Sequence, residues 1–350
     1  MWIVAKDGTG DFRSIGEALL HLEKCLCAGG RDEERQAERC TGAEDRRTEA
    51  DSRAEDRTIL VKKGEYRERI VIRIPGLRLI GEDRRETIIT EGYYAMMPSD
   101  DIGKLGTFRT YTMLVDADHA AVSGITVKND AGSGREIGQA IALYCYGDGL
   151  EFQDMDILGC MDTLFTGPLP EKERIPGGFT GPTEQEPRRP MRMRFRNCRI
   201  EGDIDFIYGG AAAFFEGCEI VQKQHPASGT GYAAAPSTPE GQEYGYVFDR
   251  CRFIGAEDCP DGSVYLARPW RKYGKTVILR SYLGPQLAPS GWSSWDRNSP
   301  EERCFFAEYG NYGPGASEEA MAERPDWVRQ LTEAEADRIC SGLKQGRTRK

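Results

Sequence analysis

"FRNCRIEGDIDFIYGGAAAFFEGCEI", residues 195–220, carries one six-residue frame twice, as FRNCRI and FEGCEI. The frame is an apolar residue, two polar or small ones, a Cys, Met or Ile, one polar or small residue, and a closing apolar one. It recurs as VSGITV from 122, FQDMDI from 152 and FDRCRF from 248. Short strands repeated without long intervening helices predict stacked coils of a parallel β-solenoid, each coil covering the apolar face of the next. A β-sandwich would instead alternate hairpins joined by tight Asn-Gly turns. The spacing between frames varies, so the connecting loops differ in length, and long loops on one side commonly build a binding cleft. The largest insertion is "GPLPEKERIPGGFTGPTEQEPRR", residues 167–189, rich in Pro and Gly.

Upstream, "TILVKKG", "RIVIRI" and "LRLIGED" read as further short strands from Thr58 onward. An N-terminal capping helix precedes them. Ser14 and Glu17 fit a capping box, and Ile15, Ala18, Leu19, Leu22 and Leu26 fall at helical spacing. Residues 29–57 are mixed-charge and nearly free of apolar side chains, which predicts a mobile insertion, with a charged helix as the alternative. Residues 1–340 therefore read as one β-helix domain with a C-terminal helical segment, and 341–350 as a disordered basic tail.

The totals exclude several classes. A formal charge of −10 argues against a general nucleic-acid binder, and no apolar run approaches the ~20 residues that span a bilayer. Eleven cysteines without a CxxC pair, beside three histidines, fit neither a zinc site nor a disulfide scaffold. They read as reduced thiols. With no basic n-region or long apolar h-region at the start, the expected location is cytoplasmic.

Asp162 lies ten residues after Phe152, and Asp205 ten residues after Phe195. On neighbouring coils ~4.8 Å apart these carboxylates would sit almost on top of each other. Two such groups repel, so one pKa is expected to rise and the other to fall, separating an acid from a base or nucleophile. His225 has the same offset from Phe215 but sits in the loop-like "QKQHPASG", and reads as a surface or structural residue.

The segments also resemble, in order, the pectinesterase (pectin methylesterase) family. "VAKDGTGDFRSIGEAL" is similar to its opening block and "KKGEYRERIVI" to its Gly-x-Tyr-x-Glu block. "GQAIALY", "MDTLF", "GDIDFIYGGAAAFFEGC" and "YLARPW" resemble its central motifs, and "GWSSW" and "EYGNYGPGA" its closing ones. The resemblance implies a right-handed parallel β-helix and an enzyme that hydrolyses C6 methyl esters of galacturonate in pectin or methylated oligogalacturonides, releasing methanol without a cofactor or metal. It places Asp205 as nucleophile, Asp162 as general acid and base, Arg268 as the cation holding the nucleophile ionised, and Gln139 as an oxyanion donor. Tyr144, Phe165, Tyr208 and Trp270 match aromatic subsites, with Trp292 and Trp295 expected beside the cleft.

Three residues depart from the pattern. Met161 stands where the family has glutamine, and a thioether cannot donate a hydrogen bond. Tyr208 replaces a phenylalanine and Ala267 a glycine. Met161 leaves a non-catalytic or weakly active pectin-binding β-helix as the alternative. A lyase or polygalacturonase would need a calcium-binding acidic cluster or carboxylates placed for glycoside chemistry. A cytoplasmic location would suit short methylated oligomers better than polymer.

Overall fold

The frame residues stack as the repeat requires. In the computed structural model, which describes residues 1–36, 56–100, 103–295 and 303–344 (side chains 28–36 and 344 excepted), Val122, Phe152, Phe195, Phe215 and Phe248 pair in register across neighbouring parallel strands. The four phenylalanine rings form a column with centroids 4.7, 4.7 and 4.5 Å apart and planes within 13°. All four are buried. The closing apolar positions Val127, Ile157, Ile200, Ile220 and Phe253 make a second in-register column.

These columns belong to three parallel sheets of eleven, eight and seven strands, visited in turn by each coil. Successive coils add to every sheet in the same order, which makes the fold a right-handed parallel β-helix. The third frame position explains the sharp turn between the first two sheets. Gly124, Asp154, Asn197, Gly217 and Arg250 all take φ between 52° and 66°. That left-handed conformation suits Gly, Asn and Asp, so those residue types recur there. The fourth position points inward: Ile125, Met155, Cys198, Cys218 and Cys251 are buried. The Cys198, Cys218 and Cys251 thiols donate to carbonyls of Arg196, Phe195 and Phe215 at 3.3–3.5 Å. None of the ten described cysteines is in a disulfide.

The N-terminal helix spans Ile15–Gln36, so it takes the first eight residues of the segment expected to be a mobile insertion; 37–55 lie outside the described residues. Its buried Ile15, Ala18, Leu19 and Leu22 join the core at that end of the solenoid. Its cap differs from the expected Ser14–Glu17 box. The Glu17 N–H does donate to Ser14 Oγ at 3.2 Å, but the returning carboxylate is Glu68. Glu68 accepts from Ser14 Oγ and from the N–H groups of Ile15 and Gly16 at 2.9–3.2 Å. A carboxylate at a helix N-terminus satisfies open donors and complements the dipole, so the first coil itself fixes the helix.

The C-terminal helix, Glu333–Lys344, sets Ala336 and Cys340 against Phe214, Val247 and Leu279 on the outside of the long sheet. It enters the segment expected to be a disordered tail, of which 345–350 lie outside the described residues. Among the described residues no helix is long and apolar enough to cross a membrane.

Phe195 sits between two stacked neighbours, so truncation leaves a cavity that rigid strands close poorly. Phe195→Ala is expected to destabilise by ~3–5 kcal/mol, read as a lower denaturant midpoint, whereas exposed Leu20→Ala stays within about 0.5 kcal/mol.

Candidate active site

The register set by Phe152 and Phe195 carries round the coil. Leu164 pairs with Ile207 and Phe165 with Tyr208, so Asp162 and Asp205 occupy equivalent positions on neighbouring coils. The Asp162 N–H donates to the Ile204 carbonyl at 3.1 Å, locking the two turns together. Both aspartates are in the left-handed region, with φ of 64° and 49°. The pairing also slips between Ile204 and Ile207 against the next strand. Bulges re-aim side chains, and non-glycine left-handed residues persist where surrounding structure holds them, a combination common at functional sites.

His225 shares the sequence offset but not the site. The third sheet jumps from Tyr208 to Ala235, because residues 223–230 insert a loop before the strand. His225 is buried there, its Nδ1 accepting from the N–H groups of Ala227 and Ser228. It is structural.

Arg268 approaches Asp205 with both arms, Nε to Oδ1 at 2.8 Å and Nη2 to Oδ2 at 2.7 Å. Its guanidinium lies between the rings of Tyr232 (3.7 Å) and Trp295 (3.9 Å), a cation–π sandwich that leaves the in-plane edge free for the carboxylate. Burial lifts the Asp205 pKa above the ordinary carboxylate value, and the guanidinium opposes that rise. Asp162 is lifted well above it, first by burial and then by the Asp205 charge, with the Tyr208 hydroxyl opposing. The expected split, one value up and one down, is therefore corrected. Burial raises both, and they separate because Arg268 grips only one.

Asp203, two residues from Asp205, adds to the crowding. It is buried, accepts from Ser133 Oγ at 2.5 Å, and its charge raises both neighbouring carboxyls.

The two carboxyls open into a cleft of about 500 Å³. Gln139, Met161, Tyr208, Arg268, Trp270 and Trp295 line it together with Asp162 and Asp205. Three expected subsite aromatics do not. Tyr144 and Phe165 are fully buried, covered by Phe108 and, at the Tyr144 hydroxyl, by Thr183 from the 167–189 insertion. Trp292 is also core: its Nε1 donates to buried Glu308 at 2.7 Å, beside the Glu308–Arg324 ion pair. None of these rings can meet a sugar face. Sequence reasoning missed Tyr232, Arg174 and Arg271. Of these only Arg271, directly after "ARPW", carried a signal, by adjacency.

A parallel β-helix whose coils hold an Asp–Arg pair against a second aspartate invites comparison with known proteins. A family model described as Pectinesterase matches residues 33–169 and 188–342. The chain belongs to the pectinesterase family. It is 30% identical over 328 residues to probable pectinesterase/pectinesterase inhibitor 59 of Arabidopsis thaliana, covering 90% of this chain and 50% of that protein. The chain spans about half the length of the curated relatives it matches first. Among solved structures, pectin methylesterase from carrot superposes with a TM-score of 0.73 at 25% identity, over 96% of this chain and 89% of that one. A pectin methylesterase in complex with a hexasaccharide gives 0.70 at 27%, over 99% and 96%. The pectinesterase match passes over 170–187, the centre of the Pro- and Gly-rich insertion.

The buried Tyr208 hydroxyl lies beside the Asp162 carboxyl without a fully aligned hydrogen bond. Donation to the ionised form favours it, so Tyr208→Phe is expected to move the Asp162 titration midpoint upward. Arg268→Gln should do the same to Asp205. Carbon-13 NMR titration of labelled aspartate checks both signs.

Proposed function

We propose that the protein is a carboxylic ester hydrolase that removes methyl groups from C6 methyl esters of galacturonate in pectin or methylated oligogalacturonides. The observation that carries this reading is the in-register carboxyl pair, one member held by a bidentate guanidinium and the other without a cation of its own. Asp205 Oδ attacks the ester carbonyl carbon, and a tetrahedral oxyanion forms. Gln139, on the cleft wall, is the side-chain amide available to donate to it. As the C–O bond to the methoxy group breaks, Asp162 transfers its proton to that oxygen and methanol leaves. An acyl-enzyme anhydride on Asp205 remains. Asp162, now a carboxylate, takes a proton from water as its oxygen attacks the same carbon. Asp205 leaves as a carboxylate, and the product is a free uronic acid.

The substrate assignment draws support from the family and from the hexasaccharide bound to a structural neighbour. Trp270 and Trp295, partly exposed in the cleft, are the rings available to sugar faces. A cytoplasmic setting, with short methylated oligomers favoured over polymer, remains part of the proposal; the lack of a disulfide among the described cysteines is consistent with it.

Wild type is expected to release methanol from methylated oligogalacturonate. Asp205→Ala should be slower by at least ~10³-fold in kcat while still binding the oligomer. No methanol from wild type, with binding intact, would establish the non-catalytic binding protein instead. The pH profile should be bell-shaped. The rate falls at low pH as Asp205 takes a proton, and at high pH as Asp162, whose pKa stands higher, loses its own.

Met161 on the cleft wall favours a second reading, an enzyme short of one oxyanion donor. If so, Met161→Gln should raise kcat at unchanged KM, by up to ~10²-fold. An unchanged kcat shows that the remaining donors suffice.

A further inference from the structure

Asp203 is wholly buried, an unfavourable place for a carboxyl unless hydrogen bonds meet it. Cys160, Asp203 and Lys223 share one offset, eight residues after Phe152, Phe195 and Phe215, so they fall on three consecutive coils. Lys223 reaches past Asp203: its ammonium donates to the Gly159 carbonyl at 3.1 Å and pairs with Glu201 at 3.5 Å. The Asp203 oxygens are taken instead by the Ile204 N–H at 2.6 Å and the Ser133 hydroxyl at 2.5 Å. Burial pushes Asp203 above the ordinary carboxylate value, and the bond from Ser133 is the foremost influence opposing that rise. Cys160 shows that the same offset accepts an uncharged side chain. What a carboxyl adds is a pair of strong acceptors, which a thiol lacks.

Ser133 belongs to the loop that leads into Gln139. On either side of it, Gly132 and Gly134 take φ of 91° and 131°, and a Cβ on either would meet nothing within 4 Å. These glycines serve backbone conformation rather than packing, so the loop is intrinsically loose and ordering it costs entropy. The Gly134 carbonyl accepts from the N–H groups of Ile137 and Gly138 at 3.2 and 3.0 Å. A compact turn therefore runs from the Ser133 bond to the residue just before Gln139. Gln139, Asp162 and Asp205 lie on three consecutive coils. Strand pairing joins each coil to the next, whereas the Ser133–Asp203 bond joins the first of these coils to the third, across the coil of Asp162.

We propose that Asp203 and Ser133 form a clamp that fixes the placement of Gln139 relative to Asp205, which makes both of them positioning residues for the oxyanion donor. The proposal rests on the esterase reading for the role of Gln139. An amide that must meet an oxyanion at hydrogen-bond distance loses much of its effect when displaced by about an ångström. The main chain at Gln139 has ties of its own: its carbonyl accepts from the Ala95 N–H at 2.8 Å, and the Ala140 N–H donates to the Met161 carbonyl at 3.0 Å. Those bonds hold the strand side of Gln139, and the clamp holds the loop side. Breaking the clamp therefore shifts the amide rather than removing it, and the loss is smaller than that of deleting the donor.

Ser133→Ala removes the hydroxyl at a half-buried position and leaves the Asp203 carboxyl in place. In methanol release from methylated oligogalacturonate, kcat is expected to fall about tenfold at unchanged KM, and Ser133→Thr to restore it. In a Gln139→Ala background the same Ser133→Ala change should alter kcat by less than about twofold, because nothing is left to position. Equal falls in both backgrounds, or a raised KM at unchanged kcat, would overturn the proposal. Amide hydrogen exchange supplies a readout that needs no turnover. In Ser133→Ala the Ile137 and Gly138 amides should exchange at least about tenfold faster, while the Asp162 amide, held by the Ile204 carbonyl, exchanges as in wild type. Unchanged exchange at 137 and 138 would also overturn it. A wild type that releases no methanol but shows the exchange contrast sinks the esterase reading and leaves the clamp. Methanol release with kcat and exchange both indifferent to Ser133→Ala does the reverse.

Discussion

In-register parallel pairing between coils is the constraint from which the rest follows. Once Phe152 stacks on Phe195, every residue at the same offset is delivered to the same place on the next coil, about one strand spacing away. The apolar columns use this to build a continuous core, and the left-handed third position uses it to repeat one turn. Asp162 and Asp205 are brought together by the same rule. No specific attraction between them is needed. The solenoid imposes a proximity that two carboxylates in solution would avoid.

That imposed proximity creates the electrostatic problem whose solution is the site. Both groups lose hydration, and each charge opposes the other. The asymmetry comes from outside the pair. Arg268, two coils further along, reaches Asp205 with two bonds, and its own plane is fixed by Tyr232 and Trp295. Asp162 has the flank of the Tyr208 hydroxyl and the weaker pull of the Arg268 charge. Two identical side chains on equivalent backbone positions therefore differ in electrostatic setting because their neighbours differ.

The sequence made legible whatever the repeat controls. The frame predicted the stacking of Phe152, Phe195, Phe215 and Phe248, and the equal offsets predicted the juxtaposition of the aspartates. The left-handed turn was also encoded, since the third frame position reads Gly, Asp, Asn, Gly, Arg, but it needed the structure to be noticed. His225, read as a surface or structural residue, shares the offset, and a loop inserted before its strand moves it out of register. What the repeat does not control was misread. Glu17 looked like the partner in the helix cap, but Glu68 is fifty-odd residues away and only the first coil brings it there. Trp292 resembled a cleft residue because its motif lies near Trp295. The buried Glu308 carboxylate claims its indole N–H and draws it into the core.

The errors at Tyr144 and Phe165 have a different origin, and it bears on what this cleft can recognise. Both lie in the ladder that continues to Tyr208, so pairing alone does not distinguish them from a ring that reaches the cleft. They are closed off by chain segments that arrive from elsewhere: Phe108 packs against both rings, and Thr183 takes the Tyr144 hydroxyl. Thr183 belongs to the stretch between the two matched parts of the pectinesterase model, and so does Arg174. One insertion therefore removes an aromatic surface from one part of the ladder and sets a cation beside Trp295 and Trp270. The strand ladder is thus that of the family, while a loop the family match passes over supplies part of the lining of this cleft.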